Sequence, residues 1–211
     1  RTLSPARRRA GGQRVRQPEE QGLLNLRYAQ ALVDGLRAAG LRDLVLSPGS
    51  RSSPLALAFL RQPAIASHVL VDERSAAFVA LGIARAGRRP VALLATSGSA
   101  VANWLPAVIE ADLAAVPLLL LSADRPPELV GWGANQTIDQ QRLFGAHVRA
   151  SHAPAPPAPD FAVGYLRSLA SRLLSECWSP LPGPVHLNLL ATLQRSEEHT
   201  SELQSRPYLV C

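Results

Sequence analysis

A chain of 211 residues with 47% hydrophobic residues can bury a core of its own and suits one domain better than two. Its formal charge of +6 is concentrated at one end: six of the 22 basic residues lie in the first 16 positions without an acid, and the rest balance as 16 arginines against 16 acids. A basic body that binds nucleic acid is thereby set aside, and so is a transmembrane helix, because Asp112 and Asp124 bracket the longest apolar run, "LAAVPLLLLSA", well short of the roughly 20 residues a span needs.

In chain order, residues 1–24 read as a disordered or non-native leader, since "RTLSPARRRAGGQRVR" has no amphipathic period. The chain holds no lysine and no methionine, which fits a piece of a longer product encoded by GC-rich DNA. From residue 25, "NLRYAQALVDGLRAAG" sets Leu26, Ala29, Val33, Leu36 and Ala39 near one helical face, with Asn25 as the expected cap and Gly40 as the stop. Short apolar runs follow: "DLVLS" at 43, "SHVLV" at 67, "PVALLAT" at 90, "PLLLLS" at 117 and "PVHLNL" at 184, each read as a strand buried on both faces. Helical patterns alternate with them, from Pro54, over 75–87, over "SAVANWLPAVIEAD" from 99, and over "DFAVGYLRSLASRLLSE" from 160. "SHAPAPPAP" from 151 reads as an extended connection. The expected fold is α/β, a mostly parallel sheet covered by helices on both faces, occupying residues 25–190.

Residues 191–211 are expected to be a non-native tail, because "RSEEHTSELQS" at 195–205 reads like a translated sequencing adapter. Cys211, His199 and Tyr208 therefore enter no functional argument, and nothing pairs Cys211 with Cys177. Without a secretory apolar segment at the amino end, a reducing cytoplasm is the expected location. No cluster of His and Cys has metal-ligand spacing.

In a parallel α/β sheet the ligand site lies where strands run into helices, and the polar clusters fall there: "SPGSRSSP", "VDERS", "TSGSA" and "SADRPPE". The first offers Gly49 in a tight turn, hydroxyls and the Arg51 guanidinium beside a helix start, a combination suited to a carboxylate or phosphate. "TSGSA" adds hydroxyls around Gly98, where a ligand can approach the backbone. "SADRPPEL" adds Arg125 before two prolines that stiffen its loop. Neither GxGxxG nor GxxxxGK[ST] occurs, so nucleotide enzymes of those types are unsupported. Each loop alone also fits ordinary turn chemistry, and Asp72, Glu73 and Arg74 alone fit a helix start.

Their succession is more specific. "SPGSRSSPL", "DERSAAFVALGIA", "TSGSAVANWLPAVIEA", "LLLLSADRPPEL", "GANQTIDQ" and "GPVHLNL" together closely resemble the amino-terminal region of the 2-succinyl-5-enolpyruvyl-6-hydroxy-3-cyclohexene-1-carboxylate synthase family of menaquinone biosynthesis, within the thiamine-diphosphate decarboxylase superfamily. The resemblance covers about 25–190 and implies the pyrimidine-binding domain alone. It implies an enzyme, a transferase that decarboxylates 2-oxoglutarate on thiamine diphosphate and adds the resulting carbanion to isochorismate, with Mg2+ or Mn2+ held by a diphosphate-binding domain absent from this chain. It implies a homodimer or homotetramer for the whole protein, with the site shared between subunits, and an isolated fragment that is inactive. Glu73 matches the superfamily's pyrimidine-domain glutamate, which hydrogen-bonds a ring nitrogen of the cofactor; burial at a strand end would help it share a proton there. Ser50, Arg51, Arg125 and Gln136 match residues that hold isochorismate, and Thr96, Ser97, Gly98, Ser99 and Asn103 match the neighbourhood of the cofactor. Ser99 stands where many relatives carry Thr. His186 reads as a satisfied structural histidine, and His68, His147 and His152 carry no motif. The rival expectations are another carboligase, similar to acetolactate synthase, and a non-catalytic α/β binding module.

Overall fold

A computed structural model describes residues 18–125 and 135–190. The elements run α1 (Pro18–Ala38), β1 (Asp43–Leu46), α2 (Ser53–Leu60), β2 (Ala66–Val69), α3 (Glu73–Gly87), β3 (Val91–Ala95), α4 (Ser99–Ala102), α5 (Leu105–Leu113), β4 (Leu118–Asp124), β5 (Ala150–His152), α6 (Val163–Glu176) and β6 (Pro184–Leu190). The strands form one six-stranded sheet in the order β2-β1-β3-β4-β6-β5, with every pairing parallel.

Alternation along the strands divides the core into two layers. Leu44, Leu46, Ala92, Leu94, Leu119, Leu121, Val185 and Leu187 face α1, α2 and α6 with Phe59 and Leu173. Val45, Val91, Leu93, Leu118 and Leu120 face α3 and α5, with Ala77, Trp104 and Phe144. Each fully buried leucine contributes about 1.5–3 kcal/mol relative to exposure, so the four central strands anchor the fold. The chain leaves β1 for α2 on one face and leaves β3 for α4 and α5 on the other. Strand order also reverses between β1 and β3, and a crevice at the carboxyl ends of the strands follows from that topology.

Several local expectations change. The first helix begins at Pro18, not at an Asn25 cap, and Glu19 and Glu20 occupy its first turn, where acids oppose the dipole. Residues 18–24 therefore belong to the fold and not to a leader, and Asn25 is buried inside the helix; residues 1–17 and 191–211 lie outside the described residues. Strand β2 is an edge strand whose residues alternate between exposed and half-buried, so its helix cover is incomplete. The helix expected from 99 is broken in two, because Pro106 lacks the amide that would bond the carbonyl of Ala102, where α4 ends. Within "SHAPAPPAP", Ser151 and His152 belong to the short edge strand β5, paired with Val185 to Leu187 of β6.

The loop before β5 is tied to α5 by Asp112. Its carboxylate accepts from Arg149 Nη1 and lies 3.0 Å from His147 Nδ1, while Arg149 Nη2 donates to the backbone oxygens of Asp112 and Pro182. The Arg149 bond first, then His147, holds the Asp112 carboxyl below the usual carboxylate range. A depressed folded pKa contributes stability above the unfolded value of about 3.9, and that stability is lost as pH falls through the lower folded value. Asp112→Asn is expected to lower stability at neutral pH by about 1–2 kcal/mol and to flatten the acid limb of a urea-unfolding series against pH. An acid limb as steep as in the parent chain would contradict this origin.

Candidate functional site at the carboxyl ends of the strands

The loops after β1, β3 and β4 meet around Arg51. This residue sits in a single turn of 3-10 helix, Ser50–Ser52, directly before α2, whose second residue is Pro54. Its Nη1 donates to Ser97 Oγ at 2.6 Å and to Gln136 Oε1 at 3.0 Å. Ser97 Oγ in turn donates to the backbone oxygen of Gln136 at 2.7 Å. Arg125 approaches from the end of β4, where both Nε (3.0 Å) and Nη2 donate to the backbone oxygen of Asn135. Two guanidinium groups thus converge on one short turn. Burial and then the positive charge of Arg125 draw the Arg51 pKa down, with Asp124 opposing. Two adjacent guanidinium groups form a seat for anionic groups.

Two glycines set how closely these loops approach. A Cβ on Gly49 would stand 2.5 Å from Thr96 Cβ, so the loop after β1 rests directly on the end of β3. Gly98 has φ +79°, and a Cβ there would stand 2.9 Å from Gln136 Cα, itself at φ 54°. Gly98→Ala is expected to cost about 1–3 kcal/mol from the backbone conformation alone, read as a lower midpoint in urea denaturation. An unchanged midpoint would mean that the turn relaxes freely.

Arg51, Ser97, Gln136 and, through Asn135, Arg125 form one hydrogen-bonded group, with Gly98 packed against Gln136. Ser97 is 1% exposed, so its hydroxyl is spent inside the protein. Thr96 is also buried, yet its hydroxyl has no partner among the described residues. Ser50, Ser99 and Asn103 are exposed and stand outside this group. Glu73 also stands outside it, as the first residue of α3, and it is half-buried where burial was expected. Its neighbour Asp72 is the helix cap, accepting from Ser75 N at 2.7 Å, which fixes the entry of α3 and the position from which Glu73 projects. Arg74 is exposed, and Pro126 and Pro127 lie outside the described residues.

Beside Arg51 a shallow apolar cleft opens between α1, α2 and the ends of β4 and β6, lined by Tyr28, Leu55, Ala123 and Leu189. Burial pushes the Tyr28 phenol up to about 12. The described histidines pair with residues outside the Arg51 group. His186 is fully buried, bonded to Ser122 and Ser151 and edge-on to Phe144, and burial pulls its pKa down to about 4. His68 lies 3.9 Å from Asp43, and His152 lies 2.6 Å from Glu176. No three or more His, Cys, Asp or Glu among the described residues are grouped to hold a metal ion, and no helix among them is long and apolar enough to cross a membrane.

A family model described as thiamine pyrophosphate enzyme, N-terminal TPP binding domain, matches residues 26–143, which run from within α1 past β4 and include every loop of the Arg51 group. The chain belongs to this family. Among relatives, it is 56% identical over 167 residues to the 2-succinyl-5-enolpyruvyl-6-hydroxy-3-cyclohexene-1-carboxylate synthase of Dechloromonas aromatica, covering 79% of this chain and 31% of that protein. It is 53% identical over 162 residues to the synthase of the same name from Thermobifida fusca, covering 76% of this chain and 29% of that protein. The Geobacillus kaustophilus synthase is 49% identical over 162 residues, 76% of this chain and 28% of its own length. The chain therefore spans about three tenths of the length of these relatives. For this N-terminal TPP binding domain, the residues present fit the cofactor: the orphaned Thr96 hydroxyl, the close backbone at Gly98 and the half-exposed Glu73 carboxyl all belong to the strand ends.

Proposed function

We propose that this chain supplies the pyrimidine-binding part of a thiamine-diphosphate-dependent transferase of menaquinone biosynthesis. The reaction is the decarboxylation of 2-oxoglutarate and the joining of its remaining four carbons to isochorismate, giving 2-succinyl-5-enolpyruvyl-6-hydroxy-3-cyclohexene-1-carboxylate and carbon dioxide. The observation that carries this reading is the pair Arg51 and Arg125 converging on the Asn135 turn beside the Thr96–Ser99 loop, in a family that binds this cofactor. A product bearing several carboxylates calls for more than one fixed guanidinium group, whereas the single carboxylate of the pyruvate acceptor of an acetolactate-type carboligase calls for fewer.

Thiamine diphosphate supplies a carbon acid that, once ionised, acts as nucleophile and electron sink. Glu73 is assigned to hydrogen-bond the pyrimidine ring and hold a proton there. Thr96, Gly98, Ser99 and Asn103 are assigned to its surroundings, with Ser97 acting from beneath by fixing Arg51 and Gln136. Ser50, Arg51, Arg125 and Gln136 are assigned to the carboxylates and hydroxyl of isochorismate. Mg2+ or Mn2+ and the diphosphate ligands belong to a further domain, in a cytoplasmic homodimer or homotetramer whose site lies between subunits. Residues 18–190 joined to the remainder of the Dechloromonas aromatica relative should consume isochorismate and 2-oxoglutarate and release carbon dioxide, while the 211-residue chain alone should release none. Turnover of pyruvate instead of isochorismate would favour the acetolactate-type reading.

A further inference from the structure

Beneath the proposed site, on the face of the sheet toward α3 and α5, lies a row of buried polar side chains that no ligand can reach. Gln140 is 1% exposed, Ser122, His186 and Asn188 are 0%, and Asp124 is 4%. Ser122 and Asp124 on β4 and His186 and Asn188 on β6 project to the same face by strand alternation, and Gln140 closes over them.

The donors and acceptors in this row have only one consistent order. Gly98 N–H donates to Gln140 Oε1 at 2.8 Å, which leaves Gln140 Nε2 to donate to Asn188 Oδ1 at 2.9 Å. Asn188 Oδ1 also accepts from Ser122 Oγ at 2.7 Å, so its Nδ2 donates to Asp124 Oδ2 at 2.7 Å. The other Asp124 oxygen accepts the backbone N–H of Arg125 at 2.7 Å. Having given its only hydrogen to Asn188, Ser122 Oγ accepts from His186 Nε2 at 2.8 Å, which places the proton of the neutral imidazole on Nε2. An unbroken chain of hydrogen bonds thus joins the Gly98 turn to the amide of Arg125.

We infer that Gln140 is a positioning residue that sets the Gly98 turn, on the cofactor side, and the start of the Arg125 loop, on the acceptor side, as one unit. It touches neither ligand, and it acts through Gly98 N–H at one end and through Asn188 and Asp124 at the other. This rests on the proposed function for the identity of the two ligands, though not for the wiring itself. Removing Gln140 leaves the Gly98 N–H without its partner and takes from Asn188 Oδ1 one of its two donors, so that Asn188 is held only by Ser122 and Asp124, which alters both loops together.

In the isotope-labelled 211-residue chain, a scalar coupling through the hydrogen bond between the Gly98 amide and the Gln140 side-chain carbonyl carbon is expected, and its absence would overturn the inference. In the complete synthase, Gln140→Leu should raise both the Kd for thiamine diphosphate and the KM for isochorismate on the order of ten-fold. Arg125→Ala should raise the KM for isochorismate and leave the cofactor Kd in place. Asn188→Asp, which sets a carboxylate against Asp124, should repeat the paired effect and serves if Gln140→Leu does not fold. Active-site titration showing fewer active molecules with both constants unchanged would mean that Gln140 merely supports the fold, and would overturn the assignment. If no isochorismate is consumed even by the unsubstituted enzyme, the function reading fails, while the coupling and the cofactor Kd still decide the positioning role.

Discussion

Glu73→Gln in the complete enzyme is expected to lower kcat by about 10²–10⁴-fold while leaving the far-ultraviolet circular dichroism spectrum unchanged. The amide keeps the size and the hydrogen-bonding reach of the carboxyl group but cannot hold a transferable proton. The fold is expected to survive because the start of α3 is secured by Asp72 and Ser75, not by Glu73. Glu73→Asp should also lose most turnover, since the shorter side chain withdraws the carboxyl by one methylene from a partner that must be met at hydrogen-bond distance. Turnover equal to that of the unsubstituted enzyme in the Gln variant would remove Glu73 from the mechanism. Asp72→Ala makes the contrast, because a lost helix cap should lower Tm and, through a loosened Glu73, reduce kcat far less than Glu73→Gln does.

The second large effect concerns Arg51. Arg51→Ala should raise the KM for isochorismate by about 10–100-fold, the loss expected for a charge-assisted contact, and Arg51→Lys should recover little of it. A lysine brings the charge but not the planar fork, which meets Ser97 and Gln136 from one nitrogen and reaches the backbone oxygen of Asn135 at 3.5 Å from another. The alanine variant also leaves Arg125 as the remaining cation at the Asn135 turn. Steady-state kinetics with isochorismate varied at saturating 2-oxoglutarate measure this, and full recovery in the lysine variant would show that charge alone suffices.

The central strands were legible because a parallel sheet covered on both faces demands apolar runs, which "DLVL" of β1, "VALLA" of β3 and "LLLL" of β4 supply, while "PVHLNLL" of β6 keeps apolar residues at every other position. The edges were harder to read. In β2 the exposed and half-buried residues carry a weaker signal, and β5 is the three residues Ala150–His152, two of them polar, held by pairing with β6 and not by their own preference. The helix start at Pro18 had its signal in the sequence, a proline followed by Glu19 and Glu20, but the arginine-rich stretch before it drew the boundary too late.

At the site, the motif residues Arg51, Ser97, Gln136 and Arg125 were legible as a set, and the structure brings them together. Their division of labour was not, because sequence order cannot tell an exposed hydroxyl such as that of Ser99 from a consumed one such as that of Ser97. Gln140 escaped notice altogether. It ends "GANQTIDQ", within a quoted motif, yet only the fold shows its amide reaching across to Asn188 and Gly98. A polar residue beside apolar strands gives no sign of whether it faces solvent or fills a buried gap.

The buried polar row has a consequence for how the sheet assembles. Leu118 to Leu121 of β4 are uniformly apolar, and sliding β4 along β6 by two residues would keep its side chains facing the same layers. Such a slip would separate Ser122 from Asn188 and strand His186 against hydrocarbon, at about 1–3 kcal/mol for each group left unpaired. The polar side chains thereby act as an alignment mark, penalising out-of-step strand pairings that leucine alone would tolerate and bringing the arginine-bearing loop to the correct height above the sheet.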